Sequence, residues 1–127
     1  MARMNRLSLV LPIAALSIVL AGAPVLADTP EVIAAKANRL DHAWSISVTL
    51  SHPDTGWDHY ANAWQVLAPD DSVLGTRTLT HPHVEEQPFT RSIDHVVIPE
   101  GFDHVLIRVR CNLDGWSPRL IWLELPR

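Results

Sequence analysis

The sequence predicts an all-β protein, an antiparallel sandwich of about seven strands, and three observations lead there. Apolar and polar residues alternate along several short runs, turn chemistry separates the runs, and nothing beyond the first 27 residues sustains a long helical period. Alternation sends successive side chains to opposite faces of a strand, so one face is buried while the other meets water.

The 127-residue chain opens with Arg3 and Arg6, an apolar run from Leu7 to Leu20, and small residues around Val25-Leu26-Ala27. That order is read as a secretory signal peptide cut after Ala27. A membrane anchor needs about 20 apolar residues, and Pro12, Gly22 and Pro24 interrupt this stretch. Residues 1–27 are thus expected to be a leader and 28–127 one domain, periplasmic or secreted, with no membrane association after cleavage. No cysteine follows the apolar run to accept a lipid.

Without Arg3 and Arg6, eight basic residues face 14 acidic ones, a net charge of about −6 with neutral histidines. A nucleic-acid partner is disfavoured, because a phosphate backbone is held by clustered Lys and Arg. Met1 and Met4 leave with the leader, and Cys111 is the single cysteine. An intramolecular disulfide is impossible, so the core alone must stabilise the domain.

The first strand is expected at 32–37. Thr29-Pro30 would also suit a helix start, yet Val32, Ala34 and Lys36 alternate with Ile33, Ala35 and Ala37. The second, 44–51, sets Trp44, Ile46, Val48 and Leu50 against Ser45, Ser47 and Thr49. Further strands are read at 60–67, 73–80 and 89–98. At 104–111, Val105, Ile107, Val109 and Cys111 form the inward set, and 119–125 closes the domain with Leu120, Trp122 and Leu123 to Leu125. Trp44, Trp64 and Trp122 are assigned to the core. Turns fall at Ala68-Pro69-Asp70-Asp71-Ser72 and Pro99-Glu100-Gly101. Short strands at this spacing indicate a sandwich of the immunoglobulin or fibronectin III kind.

If each strand reverses the last, the connections 52–59, 81–88 and 112–118 emerge at one pole. That pole gathers His52, His59, His81 and His83 as candidate metal ligands, with Asp54, Trp57, Asp58, Tyr60, Glu85 and Trp116 as candidate ligand-binding residues. Imidazole nitrogen with carboxylate oxygen suits Zn²⁺ or Cu²⁺, and His81 and His83, two apart, share one side of an extended chain. The competing reading is structural: His-Pro pairs fix extended loops through local hydrogen bonds. His95 and His104 should lie at the opposite pole. Cys111 is set aside as a core residue without a neighbouring histidine. Trp57 and Trp116, placed in loops, are candidate platforms for a sugar ring or a protein.

The runs VTLSHPDTGWDHYANAW, LAPDDSVLGTR and HPHVEEQPFTRSI resemble those of an uncharacterised family of small exported bacterial proteins, over Trp44 to the C-terminus. The resemblance implies an exported β-sandwich and names no reaction. Relatives carry a glycine-rich, histidine-containing last loop, where this chain reads Cys111-Asn112-Leu113-Asp114-Gly115-Trp116, which argues against a ligand from that loop. No nucleophile elbow, phosphate loop or His-Glu-x-x-His motif is present, so an enzyme is disfavoured. The expectation is a ligand-binding domain, with a divalent metal as its sharpest form. An interaction module for an envelope protein and a carbohydrate binder are the alternatives.

Overall fold

The computed structural model describes residues 29–126; the expected leader and its cleavage point lie outside them. The described residues form eight strands: β1 (Glu31–Arg39), β2 (Trp44–Ser51), β3 (Ala61–Leu67), β4 (Val73–Thr78), β5 (Phe89–Val96), β6 (His104–Cys111), β7 (Gly115–Trp116) and β8 (Ile121–Glu124). All pairings are antiparallel, in two sheets ordered β1-β2-β5 and β4-β3-β6, with β7 and β8 both on the far side of β6. Among the described residues no helix forms, so none could span a membrane.

β2 shows most directly why these residues make a sandwich. Ile46, Val48 and Leu50 are at most 1% exposed, each worth about 1.5–3 kcal/mol of apolar burial. The intervening hydroxyls face water and pair with β5 opposite, Ser47 Oγ with Ser92 Oγ and Thr49 Oγ1 with Thr90 Oγ1, each at 2.7 Å. From the second sheet, Trp64, Val66, Val105 and Ile107 close the core with no exposed surface.

Two bulges adjust the pattern. Between Val32 and Ala34 the β1–β2 register shifts, so Val32, Ala35 and Ala37 turn inward, a set that strict alternation does not give. In β5, Asp94 and His95 fall in the gap between the Trp44–Val96 and Ile46–Ile93 pairs, and His95 takes a φ of 62°.

One assignment is overturned. Trp122 is 59% exposed and not in the core. Its β6 partner is Leu106, an outward position, and the inward residues at the C-terminus are Ile121, Leu123 and Leu125. Consecutive apolar residues in LIWLEL leave period two ambiguous, and the pairing with β6 decides it. Trp116 also moves: it belongs to β7, opposite Arg110, and not to a loop.

Candidate metal centre

The connections after β2, β4 and β6 meet at one end of the sandwich, held by hydrogen bonds that cross between them. Leaving β2, the chain passes His52 and doubles back through Asp54, whose N–H reaches the His52 carbonyl at 2.8 Å. The chain then makes a tight turn in which Thr55 N–H donates to the His59 carbonyl at 3.0 Å and Gly56 sits at φ 145°. Positive φ of this kind is open to glycine and strained for other residues.

Asp54 is the hub. It is 5% exposed. One carboxylate oxygen accepts from His52 Nδ1 at 2.5 Å and from the Ala61 N–H at 2.9 Å; the other accepts from the His83 N–H at 2.8 Å. Gln87 ties the same segments a second time, accepting from His52 N–H at 3.0 Å and donating to the His83 carbonyl at 2.8 Å. Because Nδ1–H of His52 donates to Asp54, the neutral ring presents Nε2 as a free nitrogen, and that atom is buried without a partner.

His59 meets His52 edge to face, ring centroids 4.8 Å apart, and its Nε2 is likewise buried and unpartnered. The third member is Cys111, at the inward end of β6 with no exposed surface. One ring nitrogen from each histidine and the thiol sulfur all lie within 4.8 Å of one another. The arrangement is a His/His/Cys cluster able to hold a metal ion, with a carboxylate behind one imidazole as metal sites commonly have.

Cys111 is as buried as the sequence pattern requires, but two histidines stand beside it, which corrects the reading that none does. Its place was legible in principle: strand parity puts the end of β6 at the same pole as His52 and His59. Asn112 carries no sequence signal of its place in the site. Its side chain accepts from Tyr60 N–H at 2.9 Å and donates to the carbonyls of Trp57 and Asp58 at 3.1 and 3.2 Å, while its own N–H reaches the Tyr60 carbonyl. It pins the His59 turn to the strand that carries the thiol.

The other expected site residues are not members of the cluster. His83 is buried, stacked on Phe89 at 3.8 Å, with Nε2 2.9 Å from an Arg91 nitrogen. A guanidinium only donates, so the neutral ring carries its proton on Nδ1, which is buried and unpartnered. Burial, then the positive charges of Arg91 and His81, hold the His83 pKa below its ordinary value. Exposed His81 lies 4.5 Å from the His83 ring and bonds its Nδ1 to the Pro82 carbonyl at 2.9 Å. Arg91 also approaches Glu86 at 3.7 Å. Trp57 is 65% exposed with Tyr60 against its ring edge, Asp58 and Glu85 are exposed, and Trp116 lies on the β6 sheet beneath Arg108. His104 sits at the far pole, bonded to Asp103 and stacked on Trp122.

No protein-family model matches the chain. A protein of Halomicrobium mukohataei named "Putative lipoprotein" is 39% identical over 98 residues, 71% of this chain and 48% of that protein. The chain therefore spans about half the length of that relative. Among solved structures, the superoxide reductase (1Fe-SOR) from Giardia intestinalis is similar at a TM-score of 0.46 and 17% identity, covering 75% of this chain and 99% of that one.

Proposed function

We propose that this protein is an exported β-sandwich that binds a transition-metal ion at its loop pole through His52, His59 and Cys111. One observation carries the proposal: His52 and His59 each hold a buried Nε2 without a partner, and one ring nitrogen of each lies within 4.8 Å of the other and of the buried Cys111 sulfur. Leaving two buried ring nitrogens unpaired costs about 1–3 kcal/mol each, and a cation ligated by both removes that cost. Two imidazoles and a thiolate suit Zn²⁺ and Cu²⁺, and the soft sulfur disfavours Mg²⁺ and Ca²⁺. Export is supported by the leader-like N-terminus and by the lipoprotein name of the relative.

A nucleophilic thiol is the rival, because Cys111 shares the cluster with His52 and Asp54 bonds the His52 ring. The full burial of the sulfur weighs against it. Elemental analysis of untagged protein, followed by Co²⁺ loading of the chelated form, separates the two. Metal binding predicts a sulfur-to-cobalt charge-transfer band that Cys111→Ser abolishes. A featureless spectrum with no metal retained at micromolar protein ends the metal reading. Rapid alkylation of Cys111 in the metal-free protein would favour the nucleophile.

A further inference from the structure

The outer face of the β3-β6-β8 sheet carries a second set of side chains, on the opposite side of β6 from the buried thiol. Along β6 the outward residues are His104, Leu106, Arg108 and Arg110; across the strand gap, Trp122 lies opposite Leu106 and Trp116 opposite Arg110. Residues directly opposite in an antiparallel pair share a face. Trp122 lies flat on the His104 ring, 3.3 Å between centroids and 9° between planes, and is 59% exposed. One indole face is backed by imidazole, which leaves the other to solvent in a fixed orientation.

Four residues along β6 separate the Trp122 and Trp116 positions, about 13 Å at strand rise. Arg108 lies between them, 4.5 Å over the Trp116 ring, with Nε donating to Gln65 Oε1 at 2.7 Å. Neither Arg108 nor Arg110 has a carboxylate partner among the described residues. Acidic groups outnumber basic ones in this chain; on this face Glu124 lies to one side of Trp122, opposite His104, while Arg108 and Arg110 on the other side leave the stretch between the two indoles locally basic.

We propose that this face binds an acidic polysaccharide. A pyranose stacks its C–H face on Trp122, and carboxylates of the same chain meet Arg108 and Arg110. The chemistry selects this occupant. The face sets an aromatic platform and two cations along one strand, which fits an extended anionic chain of rings. Its apolar portion is two indoles and one half-buried leucine, with Arg108 set between the indoles, which is short of the continuous apolar centre of a stable protein interface. Two arginines on an acidic domain are also few for the several phosphate contacts on which nucleic-acid affinity rests. The site is independent of the metal cluster.

Electrophoresis of the protein through gels containing polygalacturonate, a neutral glucan or no polymer tests this. Retardation is expected only with polygalacturonate, fading as salt rises. Arg110→Ala should weaken it about tenfold, the worth of one charge-assisted bond. Trp122→Ala should abolish it and Trp122→Phe largely restore it, with the metal content and melting temperature of each variant near those of the parent. Equal retardation by the neutral polymer, or none by either, overturns the proposal. So does stronger binding of a single-stranded oligonucleotide, a dimer that Trp122→Ala dissolves, or retention that depends on Trp57 and not on Trp122.

Discussion

The carboxylate of Asp54 lies 2.5 Å from Nδ1 of His52, and both side chains have no exposed surface. This contact fixes which nitrogen of His52 is free and joins the loop after β2 to the loop after β4 through the His83 N–H. Asp54→Ala strands three buried donors at once. A loss of about 3 kcal/mol or more is expected by urea unfolding. Asp54→Asn keeps the shape and weakens the bond to His52, so metal affinity should fall about 10–100-fold while less stability is lost. A competitive metal titration beside each unfolding curve checks both halves; unchanged affinity in Asp54→Asn would separate the carboxylate from the metal site.

Asn112 makes a second prediction, because its side chain holds the turn carrying His59 by three hydrogen bonds, one part-buried and two exposed. Exposed bonds are worth less than buried ones, and Asn112→Ala should cost about 1–2 kcal/mol. The specific signature is amide exchange: the Tyr60 N–H should lose protection far more than amides in β2 or β6. Uniform loss across the domain would mean that Asn112 supports the fold and not the turn.

Much of this was legible in the sequence because period two is strong where hydroxyls separate apolar residues, as in Trp44–Ser51, and because counting reversals needs only the number of strands. The signal failed where apolar residues run together. Ile121-Trp122-Leu123 reads equally well in either register, and only pairing with β6 sets Trp122 outward. The bulge at Val32–Ala34 likewise leaves no sequence mark stronger than the alternation it interrupts. Cys111 was placed correctly in burial and missed as a partner of His52 and His59. An inward position at a strand end belongs to the core and to the pole together.

The buried ring of His83 predicts a pH dependence. Its pKa in the folded protein is held below 6.5 by burial first, then by Arg91 and His81. The unfolded chain therefore binds this proton more readily, and stability rises with pH through the window between the lowered value and 6.5. As pH falls below 6.5, stability is lost. Urea midpoints measured at pH 7.5 and 5.5 should differ more for the parent than for His83→Gln, which cannot take up the proton. Parallel losses in both proteins would assign the acid sensitivity to other groups.

The four histidines at the pole differ in what their nitrogens already do, and this yields the sharpest test of the cluster. His52 and His59 each hold a buried Nε2 with no partner. His83 Nε2 is met by the Arg91 guanidinium, whose charge repels a cation, and His81 Nδ1 is bonded to its neighbouring carbonyl. His52→Ala or His59→Ala should lower Zn²⁺ or Cu²⁺ affinity by a hundredfold or more, about 2.7 kcal/mol, with Cys111→Ser comparable. His81→Ala should leave it within about threefold, less than 1 kcal/mol. Isothermal titration of the four variants gives the ranking directly. A large loss in His81→Ala with little in His59→Ala would move the ion out of the buried cluster and toward the loop after β4.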